Sequence, residues 1–383
     1  MSLPSNPPAG DGVAWWKHLN RYHWFVLLVA ALGWLFDCLD QQIFTLSRGP
    51  AMKALLPAGA DPLVWGTYAT SVFLIGWATG GLFFGVLGDR IGRAKTMMIT
   101  ILMYSVCTGL SALSQSFWDF AFYRFITGLG VGGEFAGGVA LVTEVMPTPA
   151  RAGALGLLQA LSTVGNVSAA LLGLGMSQLE AQNLVKPSES WRYMFLIGAL
   201  PALLALVIRA RLKEPDRWLE LKNSGALAKR KAFTYAELFG HPVWSRRAIV
   251  GMLLACAGII GLWGIGFFTP ELVRTVLSKS FRAEGLAEKE IPAKVGAWAS
   301  GALLMLQVGA FFGMMVFSRV VEWIGRKKAL ALGYVLACVA TIAAFGAFNS
   351  RSQVFWLIPL MGFGQLSLFA IYAIYLPELF PTH

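Results

Sequence analysis

The chain has 383 residues, of which 56% are hydrophobic and only 13% are charged, and its mean hydropathy is +0.62. Soluble domains carry roughly 45–50% apolar and about 25% charged residues, so this chain has too few charges to cover a water-exposed surface. The composition therefore excludes a cytosolic enzyme, a disordered chain and a secreted disulfide scaffold. It favours an integral membrane protein with several spanning helices, each of which needs ~20 mostly apolar residues.

Charge and cysteine spacing argue against two classes of ligand. The formal net charge is +11, but the basic residues flank apolar stretches, as the positive-inside rule describes, and form no compact basic domain for nucleic acid. The cysteines lie inside apolar stretches at spacings that match no metal site; they are Cys38, Cys107, Cys256 and Cys338. We therefore expect no nucleic-acid partner, no metal and no cofactor.

Ten apolar stretches follow one another along the chain, and each is long enough to span a bilayer as a helix. They lie near 24–46, 63–87, 96–114, 117–143, 153–177, 191–210, 248–269, 294–318, 329–348 and 353–376. The segment 274–294 is taken as a solvated loop. Loops on the side of the N-terminus carry about twice as many Lys and Arg residues as the other loops, which predicts a multi-pass protein of the cell membrane with a cytoplasmic N-terminus.

Short motifs recur between the two parts of the chain. The motif at 85–95 returns at 318–328, and the motif at 143–148 returns at 377–382. Two motifs repeated at nearly one offset predict a duplicated six-helix unit, as in transporters with two parallel halves. The expected organisation is a cytoplasmic segment 1–23, a six-helix bundle 24–210, a cytoplasmic linker 211–247 and a C-terminally truncated bundle of four helices, 248–383.

Four motifs resemble signatures of the major facilitator superfamily. The loop 85–95 resembles its signature between helices two and three, and 124–134 is similar to its helix-four pattern. Residues 191–198 resemble the opening of its sixth helix, and 214–219 resemble the motif that closes that helix. The resemblance covers nearly the whole chain. It implies an all-α integral membrane protein with a major facilitator fold of two pseudo-symmetric helix bundles, with about ten of twelve transmembrane helices present.

Two further patterns resemble particular groups within that family. Asp37-Cys-Leu-Asp40 resembles the Asp-x-x-Asp of helix one in aromatic-acid and sialic-acid proton symporters. The sequence Gly-Gly-Glu134-Phe-Ala-Gly-Gly resembles that of metabolite–proton and sialate–proton symporters. The resemblance implies proton-coupled symport of a small organic anion. One departure is that Gln41-Gln42 follows Asp40 where these groups have an apolar pair.

Four ionisable residues lie inside predicted spans, namely Asp37, Asp40, Arg124 and Glu134. Each costs roughly 2.5–3.5 kcal/mol at the bilayer centre, so each is a functional candidate. Asp37, Asp40 and Gln41 are spaced i, i+3, i+4 and share a helical face. Because two close carboxylates repel when both are ionised, one of the pair is suited to bind and release a proton, and Asp37 is the deeper residue. The alternative for Asp40 is a cap or a hydrogen bond near the outer end.

Arg124 and Glu134 each have more than one interpretation. Arg124 neutralises Asp37 or Asp40, holds a substrate carboxylate with its bidentate fork, or snorkels to the interface. Glu134 lies about 80° further round the helix than Arg124, so the two need not share a face. Glu134 is either a second proton site or a structural carboxylate that bonds to another helix.

Polar residues inside spans one, five and ten predict a wet cavity. Gln41 of span one, together with Gln365 and Tyr372 of span ten, is expected to line it. Hydrogen bonding between helices is the alternative for span five. There the polar residues recur at i, i+3, i+4 and i+7, which is one helix face; they are Gln159, Ser162, Thr163 and Asn166.

Charged loop residues form a second group of candidates, which we expect not to touch substrate. Such a cluster forms salt bridges in one conformation and breaks them in the other, which biases alternating access. These conformational-switch residues follow spans two, four and eight; they are Gly85, Asp89, Arg90, Gly92, Arg93, Glu144, Arg151, Glu322 and Arg326.

The sequence contains no Ser/His/Asp set, no metal-spaced His/Cys cluster and no phosphate-binding loop, so we predict that the protein is not an enzyme. We predict a monomeric, proton-coupled symporter of a small carboxylate or metabolite. Its partners are protons, a small-molecule substrate and the lipid bilayer. The alternatives are a proton-coupled sugar porter or an efflux antiporter. In another class, the alternative is a non-transporting membrane sensor or an inactive truncated transporter.

Overall fold

A computed structural model of the chain describes residues 15–201, 203, 208, 212, 214, 216–224 and 239–378. Within these ranges the structure describes all side chains except those at 152, 156, 159, 160, 216, 217, 221, 262, 318, 322, 369, 370 and 373–378. The regular structure in the described ranges is helical throughout. This agrees with the all-α class that the family resemblance implies.

Within the described residues, the N-terminal half contains six α-helices. Local capping sets several of their starts: Asn20, Asp61 and Ser116 each accept a backbone N–H at the first turn of a helix, which satisfies a donor that the helix leaves unpaired. Gly92, with φ of 110°, makes the sharp turn between two long helices that only glycine adopts readily. The helices are α1 (Arg21–Leu55), α2 (Pro62–Ile91), α3 (Arg93–Ser111), α4 (Phe117–Val145), α5 (Arg151–Ala181) and α6 (Ser190–Ile197).

The rest of the described chain forms a short helix and a second bundle. A π-helical segment, Ile260–Ile265, and a 3₁₀ turn, Gly266–Phe268, join two of its helices without a break. Gly325, with φ of 83°, makes the same kind of turn as Gly92 does in the first half. The helices are α7 (Asp216–Asn223), α8 (Pro242–Ile259), α9 (Thr269–Ala283), α10 (Ile291–Ile324), α11 (Arg326–Ala347) and α12 (Leu357–Glu378).

By length and composition, six helical stretches in the described residues are apolar and long enough to cross a membrane. The other four predicted spans also contain helix: α3, α5, α12 and, for 191–210, α6. Most of 198–210 lies outside the described residues. The six stretches are Arg21–Leu55, Pro62–Ile91, Phe117–Val145, Pro242–Ala283, Ile291–Val321 and Arg326–Ala347.

Two boundaries predicted from the sequence are wrong. The segment 274–294 is not a continuous loop, because α9 extends to Ala283 and α10 begins at Ile291. Part of this charged segment belongs to an amphipathic helix. That helix buries Val273, Leu277 and Phe281, at the i, i+4, i+8 spacing of one helical face. Likewise, α1 does not end near residue 46 but continues to Leu55.

Helices α2 and α4 approach each other closely, through glycines on both. A Cβ atom on Gly80 would lie 2.1 Å from the carbonyl oxygen of Leu129, and one on Gly132 would lie 2.1 Å from that of Trp77. These distances leave no space for a side chain. The glycine pattern that the sequence shows in span four is therefore a helix-packing surface, and it holds α4 in place beside α2.

Replacing Gly80 with alanine is expected to destabilise the protein by about 1–3 kcal/mol, because the helices must separate to relieve the overlap. Thermal unfolding of the purified protein in detergent measures the effect. Gly175→Ala is the matched control, since a Cβ at that position meets nothing within 4 Å. Equal unfolding temperatures for the two variants would contradict the close packing of α2 and α4.

The two halves meet through helices from both bundles. Asn166 of α5 donates to Gln307 of α10 at 3.1 Å, and the rings of Trp77 and Trp263 lie 5.3 Å apart. We call the end of the bundles that carries Asp89 and Gly92 the motif end, and the end where α1 finishes the distal end. The interface therefore includes polar as well as aromatic contacts between the two halves.

Candidate functional site

Two acidic side chains from different helices meet inside the N-terminal half. Asp37 of α1 is fully buried, and Glu134 of α4 is 1% exposed. Their carboxyl groups lie close enough to share a hydrogen bond when one of them is protonated, and the hydroxyl of Tyr104 in α3 lies beside Asp37. The sequence placed both acids in spans, but it did not predict that they meet. We call Asp37 and Glu134 the acid pair.

A gap in the surface of α1 makes room for the Glu134 carboxyl. A Cβ atom on Gly33 would lie 2.2 Å from Glu134 Oε1. Gly33 precedes Asp37 by one helical turn, so the same stretch of α1 that carries the aspartate also receives the glutamate. The local sequence Gly-Trp-Leu-Phe-Asp thus positions both members of the acid pair.

Among the described residues, no cation forms a salt bridge with the acid pair. Among the residues that the structure describes, none donates a hydrogen bond to either carboxyl of Asp37 or Glu134, and no described salt bridge reaches them. Two ionised carboxylates in contact, desolvated and unpaired, are strongly unfavourable. A proton shared by the two carboxyl groups removes one charge and makes the hydrogen bond between them. The arrangement is therefore chemically able to hold one proton between the two carboxyl groups.

A second polar cluster lies one helical turn from the acid pair and contains Asp40 of α1 and Arg124 of α4. Arg124 is fully buried, so it does not snorkel to the interface. Its Nη1 lies 3.5 Å from Asp40 Oδ2, and Thr108 donates to Asp40 Oδ1 at 2.6 Å. The guanidinium also donates from Nη2 to the hydroxyls of Thr108, Ser111 and Thr127.

The ion pair of Arg124 with Asp40 is incomplete. Asp40 Oδ2 and Arg124 Nη1 have no hydrogen-bond partner in the described part of the chain, and 3.5 Å is long for a charge-assisted bond. The ring of Phe195 lies 4.7 Å from the guanidinium carbon, which is within the range of a cation–π contact. Arg124 thus retains a donor for a second anion without leaving its hydroxyl partners.

The amide side chains predicted to line a cavity lie in different surroundings. Gln41 is fully buried, and its amide atoms have no partner among the described residues. Asn166 bonds to Gln307 across the two halves, and Ser162 is buried on the same helix. The Gln159 side chain lies outside the described residues. The described amides therefore include two at the level where the halves meet, Asn166 and Gln307.

The two candidates in α12 bond within the C-terminal half. Gln365 donates from Nε2 to Thr341 at 2.8 Å. The hydroxyl of Tyr372 donates to the carbonyl of Leu254 at 2.9 Å and contacts the hydroxyl of Tyr334. These bonds join helices of the C-terminal half to one another. Both side chains therefore contribute to helix packing.

The predicted conformational-switch residues cluster at the motif end. Arg93 pairs with Asp89 at 2.5 Å and with Glu144 at 3.1 Å, which joins the α2–α3 turn to the end of α4. Arg151 instead donates to the carbonyl of Met146, and Arg90 is exposed. In the second half, Arg326 is exposed beside the Gly325 turn, and the Glu322 side chain lies outside the described residues.

Two residues of the linker complete this cluster. The Glu214 carboxylate accepts the backbone N–H groups of Ala94 and Lys95, each at 3.1 Å, and so caps the N-terminus of α3. Trp218 donates from its indole to the Asp89 carbonyl at 3.1 Å. The sequence showed the motif at 214–219 but not its contact with the α2–α3 turn, because the two segments are more than a hundred residues apart along the chain.

Sequence reasoning also missed a charged contact at the distal end. Arg48 of α1 is 1% exposed and lies 2.8 Å from Glu271 of α9, which joins the two halves. Both residues lie just beyond the ends of predicted spans, at 46 and 269. A charged residue just beyond a span is ordinarily solvated. Its burial could be predicted only if the position of its partner in the other half were known.

Comparison with known proteins adds the following. The description of the family model that the chain matches over residues 49–383 is Major Facilitator Superfamily. The chain is 30% identical to a putative metabolite transport protein of Haemophilus influenzae, over 95% of this chain and 83% of that protein. It is 26% identical to a niacin transporter of Acinetobacter baylyi (95% and 82%) and 30% identical to a sialic acid transporter of Escherichia coli (96% and 82%).

The fold also matches solved structures. The xylose transporter of Escherichia coli, in a partially occluded inward-open conformation, superposes with a TM-score of 0.71. The match covers 93% of this chain and 87% of the transporter at 18% identity. At that identity the likeness concerns the fold alone.

Proposed function

Because the chain belongs to the major facilitator superfamily, and is therefore a multi-pass membrane protein of the transporter class, we propose that it moves a small organic acid together with protons. The observation that carries the proposal is the acid pair, Asp37 and Glu134. It is buried in the N-terminal half with no hydrogen-bond or ion-pair partner in the described part of the chain, and it lies one helical turn from the Arg124–Asp40 ion pair. One cluster is suited to a proton and the other to an anion.

The substrate class follows from Arg124. Arg124 is buried, and its Nη1 forms no hydrogen bond with the described residues. Such a guanidinium is matched by a carboxylate, which accepts in the plane of the fork. A neutral sugar does not need that charge. The names of two relatives, the niacin and sialic acid transporters, are those of acids, which supports the same class here.

Anion binding and proton binding are coupled because Asp37 and Asp40, one from each cluster, lie on the same face of α1. Asp40 is an electrostatic neighbour of Asp37 and is balanced by Arg124. A substrate carboxylate that binds Arg124 competes with Asp40, and the released negative charge then acts on the acid pair. Protonation of that cluster compensates the charge, so that anion and proton are bound together.

Alternating access is expected to move the two halves about this site. We place the motif end in the cytoplasm and the protein in the plasma membrane, in agreement with the excess of basic residues on that side. The Arg93 pairs with Asp89 and Glu144 tie helices of one half together at that end, and we assign them to the conformational switch. We propose that the transporter is a monomer.

The proposal is tested by uptake into proteoliposomes with an imposed proton gradient, acidic outside. Radiolabelled nicotinate, cis,cis-muconate and two neutral sugars form the panel, and protein-free liposomes correct for diffusion of the free acids. Accumulation of an acid that disappears when an uncoupler dissipates the gradient is the expected result. Gradient-driven uptake of a sugar but of neither acid would overturn the proposed substrate class.

A further inference from the structure

A cavity of about 550 Å³ lies between the two halves at the distal end, away from the acid pair and Arg124. Its lining combines apolar residues with charged ones, some buried and some exposed. Four basic and four acidic side chains contribute. They are Arg48, Lys53, Asp61 and Glu180 from the N-terminal half and Glu271, Arg274, Arg282 and Glu288 from the C-terminal half.

Half of these charges neutralise one another. Arg48 lies 2.8 Å from Glu271, and it also donates to the Thr70 hydroxyl at 2.6 Å and to the Phe267 carbonyl at 3.0 Å. Arg282 and Glu288 pair at 2.7 Å near the rim. These groups have their partners within the protein and do not require a ligand.

Arg274 differs from the other cations. Its Nη2 donates to the Leu46 carbonyl at 2.7 Å, whereas its Nη1 is buried and has no hydrogen-bond partner among the residues that the structure describes. Lys53 lines the same cavity with an exposed side chain. Leaving a desolvated guanidinium donor without a hydrogen bond costs free energy. An acceptor that binds at Nη1 would therefore be stabilised.

The acidic groups of the lining attract Arg274 without bonding to its Nη1. Glu271 is an electrostatic partner of Arg274 as well as of Arg48, but it forms no hydrogen bond with Nη1. Asp61 accepts the Leu63 N–H at 2.8 Å as the cap of α2. Glu180 lies near Ser190 and Arg274, but it leaves Nη1 without a hydrogen bond. The donors that remain are therefore cationic, and the complementary ligand is an anion.

We propose that this cavity is a second anion-binding site, in which Arg274, with Lys53, holds the carboxylate of a small acid before it reaches Arg124. The expectation that the ligand is a carboxylate rests on the proposed function. The two sites are distinct because Trp191, which lines the cavity, packs on Phe120 and Phe195. Those rings lie between Trp191 and the Arg124 guanidinium.

The test is protection of a cysteine placed in the cavity. Ser278 lines the cavity on α9, so Ser278→Cys is made in a background in which Cys107, Cys256 and Cys338 are alanine. Labelling by a membrane-impermeant maleimide is timed with nicotinate or with nicotinamide, its neutral counterpart. At nicotinate of about ten times its Kd for the site, labelling slows about tenfold, and nicotinamide has no effect.

Three variants show which cation holds the anion. Arg274→Gln is expected to abolish protection, whereas Arg274→Lys, which keeps the charge, retains part of it. Arg282→Gln, on the rim, retains it. Arg124→Gln retains it as well, and this separates the cavity from the site of the proposed function.

The proposal is overturned by unchanged protection in Arg274→Gln, by equal protection from nicotinamide, or by loss of protection in Arg124→Gln. The proposal is also overturned if nicotinate protects the cysteine in none of the variants. That result does not bear on the proposed function, which the uptake experiment tests separately. Size-exclusion profiles verify that each variant is folded. If Arg274→Gln does not fold, the nicotinate–nicotinamide contrast and the loss of affinity in Lys53→Gln decide the question.

Discussion

Replacing Asp37 with asparagine is expected to abolish proton-driven accumulation of the acid substrate while exchange of internal for external substrate continues. With one proton per anion, a gradient of one pH unit supports about tenfold accumulation, since one unit corresponds to about 1.36 kcal/mol. The asparagine variant reaches only the external concentration. Exchange persists because it needs the anion site and the movement of the halves, but no net proton transfer.

The physical reason lies in the acid pair. Asparagine has the size of a protonated aspartic acid and donates one hydrogen bond to Glu134, so the variant imitates the protonated pair permanently. Because the Glu134 carboxyl lies against Gly33 and Asp37, its surroundings change little. The pair then no longer alternates between a bound and a released proton.

The matched control is Glu290→Gln, which removes an exposed carboxylate at the start of α10. It should accumulate substrate like the parent protein. Glu134→Gln should resemble Asp37→Asn, because either change removes one of the two carboxylates. Accumulation by Asp37→Asn at the parent level would remove Asp37 from the coupling scheme.

Arg124→Gln is expected to lower both stability and transport severely. The change leaves Asp40 buried, 1% exposed, with Thr108 as its remaining described partner. Removing one member of a buried ion pair costs about 3–5 kcal/mol. Transport of nicotinate should fall below detection, because the anion site has lost its charge, and thermal unfolding should shift to lower temperature.

A double variant separates the two effects. In Arg124→Gln with Asp40→Asn, the uncompensated charge is gone, so most of the lost stability should return. Nicotinate transport should not return, since the guanidinium that binds the carboxylate is still absent. Recovery of transport in the double variant would show that Arg124 serves only to balance Asp40.

Most helices of this fold could be predicted from composition because the bilayer demands long apolar runs. The predicted and observed starts of α4 coincide at residue 117. Helix α9 escaped prediction because its apolar residues form only one face, between charges such as Glu271 and Arg274. Mean hydropathy over a window does not register such a helix.

The candidate residues could be predicted, but most of their contacts could not. A carboxylate or guanidinium inside a span is visible in the sequence, so Asp37, Asp40, Arg124 and Glu134 stood out by their cost. Which of them pair depends on how α1, α3 and α4 are arranged around one another. The sequence also gave no sign that Thr108, one hydroxyl among many, lies between Asp40 and Arg124.

The central claim is that substrate and proton cross together, and the most direct measurement is of the proton itself. Proteoliposomes are suspended in a weakly buffered medium without a gradient, and the external pH is recorded while nicotinate is added. Symport predicts a transient rise in external pH that an uncoupler abolishes and that protein-free liposomes and Asp37→Asn lack. Uptake of radiolabelled nicotinate with no change in external pH would contradict the account.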